Sequence, residues 1–92
     1  MPHRIQIFSG GCSLCEQAAE IIEIGKCKDC VMETLDVKDP KNRKLLLQYA
    51  ISAVPSIVID AKIKVVGVPN FPWFCGDEFY RMLERKYPLR RR

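Results

Sequence analysis

The sequence predicts an α/β domain with a four-stranded mixed sheet, elements in the order βαβαββα, and helices on both faces. Three observations predict it. An apolar β-forming run stops at glycines and gives way to helical periodicity around Cys12 and Cys15; a second strand-then-helix passage ends at Pro55; and two apolar runs, Ile57-Val58-Ile59 and Ile63-Lys64-Val65-Val66, are divided only by Asp60-Ala61-Lys62. Strand-helix-strand passages require parallel pairing, whereas a short polar link between two strands reads as a hairpin.

The elements follow from local chemistry. Arg4-Ile5-Gln6-Ile7-Phe8 carries three apolar β-formers and is cut off by Ser9-Gly10-Gly11. Leu14, Ala18, Ile21 and Ile22 then recur at helical spacing while Glu16, Gln17, Glu20 and Glu23 take the other face, with Gly25 read as the helix stop. Val31 to Val37 alternates as a strand. Asp39-Pro40 is a helix start, an N-cap acceptor followed by proline at the first helical position, and Lys41 to Ala50 supplies Leu45, Leu46 and Tyr49 for a buried face. After the hairpin, Phe79, Met82, Leu83 and Tyr87 mark a last helix over 77–87, entered through Gly76-Asp77.

The chain of 92 residues suits one small domain, here 1–92, with 88–92 as a basic tail. Such a chain buries only about 60 to 65% of its unfolded surface, and 48% hydrophobic residues provide one core. No run approaches the ~20 apolar residues of a membrane span, and no apolar leader precedes the first strand, so a cytoplasmic protein with no membrane association is expected. The net charge of +4 gathers largely in Arg85, Lys86, Arg90, Arg91 and Arg92. Without interleaved exposed aromatics or a recognition motif, it does not point to nucleic acid.

Cys12 and Cys15 sit where a strand becomes a helix. A thiol there meets unpaired N–H groups and the positive end of the helix dipole, which favour thiolate, and a second thiol one turn on can attack a mixed disulfide formed by the first. The pair reads as redox chemistry, with Cys12 as nucleophile and Cys15 as resolving thiol.

Gly11-Cys12-Ser13-Leu14-Cys15, followed 40 residues after Cys15 by Val54-Pro55 and an apolar strand, resembles the thioredoxin-like superfamily, and the resemblance covers nearly the whole chain. It implies a thioredoxin-like fold and thiol:disulfide exchange on a disulfide-containing protein or small thiol, with a reductase or glutathione as electron donor. It also implies a cis peptide at Val54-Pro55 that turns the Val54 backbone toward an extended substrate, and a substrate surface made by Gly11, Ser13, Leu14, Val54, Pro55, Gly76 and Asp77. Thioredoxins proper carry tryptophan before the first cysteine, Gly-Pro between the pair and a buried acid six positions before it; here stand Gly11, Ser13-Leu14 and Gln6. Typical glutaredoxins have tyrosine beside the second cysteine and a glycine pair before the last helix, where this chain has Leu14 and Cys75-Gly76-Asp77. The chain thus looks intermediate between the two groups; no resident cofactor is expected, and glutathione stays open as a co-substrate. The rival reading is a non-catalytic module that holds a metal ion or protein partner through its thiols.

Cys27 and Cys30 form a second CxxC, open to reading as surface thiols, a second thiol pair or metal ligands between molecules. A four-thiolate zinc site shared with Cys12 and Cys15 would require ligands within about 2.3 Å of one metal, yet a helix over 13–24 would hold the pairs about 18 Å apart. No metal site is therefore expected. Cys75 reads either as a cleft thiol or as a small buried hydrophobe. Phe71, Trp73 and Phe74 read as core by default, and as a docking patch if exposed. His3 is given no catalytic role.

Overall fold

The structure, a computed structural model, describes residues 3–26, 28–74 and 76–89. Its elements take the predicted order: β1 (Arg4–Ser9), α1 (Ser13–Gly25), β2 (Val31–Asp36), a 3₁₀ turn (Pro40–Asn42) leading into α2 (Arg43–Gln48), β3 (Ser56–Ile59), β4 (Ile63–Val66) and α3 (Asp77–Lys86). The sheet order is β2-β1-β3-β4, with β1 parallel to β2, antiparallel to β3, and β3 antiparallel to β4.

Alternation along β1 sorts the helices onto the two faces. Ile5 and Ile7 join Ile57 and Ile59 on one face, covered by Ala18 and Ile22 of α1 and by Tyr80 and Leu83 of α3. Phe8 and Val58 face the other way, against Tyr49, Leu45 and Leu46 around α2. The centre of the sheet is fully covered, with Ile5, Ile7, Ile57, Val58 and Ile59 all at 0% exposure.

Turns and caps hold the elements in register. At the β3–β4 turn Asp60 and Ala61 have φ of 52° and 55°, the handedness that suits a tight hairpin, and the Lys62 N–H donates to the Ile59 carbonyl at 3.0 Å. The Asp60 carboxylate also fastens the start of the chain: it accepts the Arg4 N–H at 2.8 Å and pairs with His3 Nδ1 at 2.5 Å. α2 is shorter than the expected 41–50. Its first turn is the tight one capped by Asp39, and it closes with Ala50 at φ 51°, Ala50 N–H to Leu47 O and Ile51 N–H to Leu46 O, a Schellman-type end. Lys64 Nζ supplements that end by donating to the carbonyls of Tyr49 and Ala50 at 3.2 and 2.9 Å.

Two expectations change, and one rival reading falls away while the default core reading of Trp73 and Phe71 holds. Gly25 is the last residue of α1, and the cap is the extended Lys26. What demands glycine is packing: a Cβ at Gly25 would lie 1.9 Å from the Trp73 carbonyl oxygen. The basic tail does not begin at residue 88, because Pro88 bridges to Ile63 and the Leu89 N–H donates to Lys62 O at 2.8 Å; residues 90–92 lie outside the described ones. The Phe71, Trp73 and Phe74 docking patch does not form. Trp73 is buried against the core and donates its Nε1–H to the Tyr80 hydroxyl at 3.2 Å, Phe71 is half-buried, and Phe74 alone of the three stays exposed. Among the described residues, no helix is long and apolar enough to cross a membrane.

Candidate functional site

The strand-to-helix corner after β1 presents the first thiol pair. Gly11 has φ 77° with open space around a notional Cβ, so glycine is needed there for backbone conformation alone. Cys12 is the N-cap of α1, and its Sγ accepts the Cys15 N–H at 3.3 Å. Cys12 is half-buried, whereas Cys15 lies in the first turn at 2% exposure; both are free thiols. Burial pushes the Cys15 thiol up. Hydrogen bonds from the Cys12 side chain, the main chain of Gly10 and Cys12, and Ser9 outweigh that and bring it from 9.0 to about 7. The lowered value thus falls on the inner, buried sulfur, while access favours the outer one.

The Val54-Pro55 segment flanks this corner, and its peptide bond is cis. A Cβ at Gly10 would approach Val54 Cγ2 to 3.2 Å, so the absent side chain lets the segment close on the thiol corner. Val54 is 37% exposed, Leu14 52% exposed, and Pro55 buried. A groove of about 380 Å³ beside the corner is lined by Ser9, Gly10, Gly11, Thr34, Asp36 and Lys38. A larger concavity of about 600 Å³, lined by Glu78, Arg81, Glu84 and Arg85, lies on the charged face of α3 and contains no thiol.

The structure thus gathers Gly11, Cys12, Ser13, Cys15 and the Val54-Pro55 segment at one end of the sheet, with Leu14 on the first turn of α1. Gly76 and Asp77 go elsewhere. Asp77 lines a groove with His3, Asp60 and Lys62, at the opposite end of β1 from Cys12. The aromatic segment is the reason: it carries the chain along the sheet to Trp73, against the far end of α1, before α3 begins. These two residues are corrected from substrate contacts to part of the far end.

Cys30 is 5% exposed within the main core cluster and faces the Tyr80 hydroxyl, so it is not a surface thiol. Cys27 and Cys75 lie outside the described residues. The 13 residues of α1 run unbroken after Cys12, a length of ~20 Å. Among the described residues, no group of three or more His, Cys, Asp or Glu is arranged to hold a metal.

Two features escaped the sequence reading. Gln6, which replaces the family's buried acid, is paired across the sheet with Glu33 and donates to its Oε1 at 2.9 Å. Arg4 holds that carboxyl below its usual range through a 2.8 Å hydrogen bond, so the carboxylate is already committed and is a poor proton acceptor for the thiols. The second is the wall formed by Val37 and Lys38. Its position depends on how the link after β2 folds back toward Gly10, which no local pattern encodes.

Comparison with known proteins agrees with this geometry. The sequence profile of the thioredoxin domain matches residues 3–71. An uncharacterized 9.0 kDa protein in the mobE 3′ region of Acidithiobacillus ferrooxidans is 27% identical over 60 residues, covering 65% of this chain and 71% of that protein. With the thiol pair at the β1–α1 corner, the mixed sheet and a profile match across most of its length, the chain belongs to the thioredoxin-domain family.

Proposed function

We propose that the protein is a thiol:disulfide oxidoreductase using Cys12 as nucleophile and Cys15 as resolving thiol. The observation that carries the reading is the pairing of a half-buried N-cap thiol with a buried thiol one turn inside, brought to about 7. Cys12 thiolate attacks one sulfur of a substrate disulfide; the S–S bond breaks and the departing sulfur leaves as a thiolate that takes up a proton. Cys15, as thiolate, then attacks the Cys12 sulfur, releasing the second substrate thiol and closing a Cys12–Cys15 disulfide. Two electrons and two protons from a reductase or from glutathione restore the dithiol.

Access decides which sulfur starts the reaction. A substrate disulfide reaches the half-buried Cys12 more readily than Cys15 at 2% exposure, so Cys12 makes the first attack. Gly11, Ser13 and Leu14 leave the approach uncrowded, and Val54, exposed beside the corner, gives an extended substrate a place to lie along the site.

The test is turnover of 2-hydroxyethyl disulfide, a small neutral substrate, coupled to a midpoint potential for the Cys12/Cys15 couple. Turnover that disappears in Cys12→Ser, with a reversible two-electron couple, supports the reading. A couple that never cycles, in a protein that retains a metal through its thiols, favours the non-catalytic module instead.

A further inference from the structure

One wall of the thiol site carries charges that disulfide exchange itself does not require. The stretch 36–44 contains Asp36, Lys38, Asp39, Lys41, Arg43 and Lys44. Both carboxylates are engaged by the main chain: Asp36 Oδ1 accepts the Lys38 N–H at 2.9 Å, and Asp39 Oδ1 accepts the Lys41 N–H at 3.0 Å. The four cations are exposed, and none joins an ion pair among the described residues. With four cations against two carboxylates the stretch keeps a net positive charge and projects a positive potential over the neighbouring surface.

That surface is an apolar groove opening on the thiol corner. About 270 Å³ of open groove is lined by Val37, Leu46, Ile51 and Val54 together with Ser52 and Ala53, and a further 190 Å³ brings the cations Lys38 and Arg43, with Asp39 beside them, against the same Val37 and Leu46. The groove starts close to the nucleophile, since a Cβ at Gly10 would sit 3.2 Å from Val54 Cγ2 and 4.0 Å from Val37 Cγ2. α1, which begins at the same corner, exposes Glu16 in its first turn.

Resting on the oxidoreductase reading, we propose that the preferred substrate is an acidic polypeptide disulfide, with an apolar residue near its cysteine seated against Val37, Leu46 and Val54 and carboxylates facing Lys38 and Arg43. Charge complementarity raises the encounter rate. The reaction is the balanced exchange given above, with the peptide disulfide accepting the two electrons of the dithiol.

The experiment compares kcat/KM of the reduced full chain for peptide disulfides of one length, in which leucine beside the cysteine is kept and the remaining flanks are glutamate, glutamine or lysine. Glutathione disulfide and 2-hydroxyethyl disulfide are run alongside. The acidic peptide should exceed the glutamine peptide on the order of tenfold at low salt, with the advantage shrinking as ionic strength rises. In Lys38→Gln/Arg43→Gln the ratio of acidic to glutamine peptide should fall toward one; turnover of the glutamine peptide shows that this variant is folded. Equal rates for the three peptides, a preference unchanged in the double variant, or a preference for glutathione disulfide over the acidic peptide would each overturn the inference and leave the oxidoreductase reading standing. Loss of turnover with 2-hydroxyethyl disulfide and with every peptide would overturn both.

Discussion

The two ends of the central sheet meet opposite demands. Where β1 runs into α1, side chains are sparse: Gly10 and Gly11 carry none, Leu14 and Val54 stand exposed, and Cys12 keeps part of its surface open. At the other end aromatic rings close over one another. Trp73 packs edge-on to Phe79 with centroids 5.2 Å apart, Phe79 to Tyr80 at 5.5 Å, and His3 stacks on Tyr80 at 3.9 Å. The contrast teaches that the chain gathers large apolar contacts at the end away from the Cys12–Cys15 pair, so the thiol end can remain thinly covered.

Removing the keystone of the closed end is the harshest way to break that division. Trp73→Ala takes away a buried indole and strands the Tyr80 hydroxyl it serves, and should cost about 3–5 kcal/mol of folding stability, measured by denaturant unfolding followed by circular dichroism. The folded fraction should keep its reactive thiol pair. Gly25→Ala attacks the same contact from the α1 side, because its Cβ would collide with the Trp73 carbonyl, and should lose about 1–3 kcal/mol. Losses under about 1 kcal/mol in both variants would mean that the aromatic end does not anchor the fold.

A gentler probe reads the reactive end through its protons. With the Cys15 thiol brought from 9.0 to about 7 in the folded protein, the thiolate form is favoured by folding. The reduced protein should therefore show a thiolate absorbance step near pH 7, missing in Cys15→Ser. Its stability should rise as pH increases from about 7 to 9, be fully gained above 9, and lose this contribution as pH falls through 7. Trp73→Ala should leave the absorbance step in place, since the two ends are separated by the length of α1.

Much of this division is already present in the sequence, though unevenly. Period and punctuation reveal the strands, the α1 stripe and the hairpin because those signals are local: alternation at Ile5 and Ile7, helical spacing at Ala18 and Ile22, and a short polar link between β3 and β4. The thiol corner is legible for the same reason. The far end is not, because its logic is tertiary. Gly25 reads as a helix stop until the Trp73 carbonyl is seen against it, and Gly76-Asp77 reads as part of the thiol cleft until the aromatic segment is followed to the other end. Glu33 shows no special feature along the chain and becomes significant only through its parallel register with Gln6. Cys30, which closes the polar run that begins at Lys26 and is preceded by Lys28 and Asp29, gives no hint that its thiol enters the core.

Mixed-disulfide trapping tests most directly the claim that the open end performs exchange with two unequal thiols. Reduced Cys15→Ser and Cys12→Ser are each mixed with a peptide disulfide, and the covalent adducts are identified by intact mass. The account predicts a stable adduct on Cys12 in Cys15→Ser, where the resolving thiol is missing, and none on the buried Cys15 in Cys12→Ser. Equal adducts in both variants, or an adduct confined to Cys15, would contradict it.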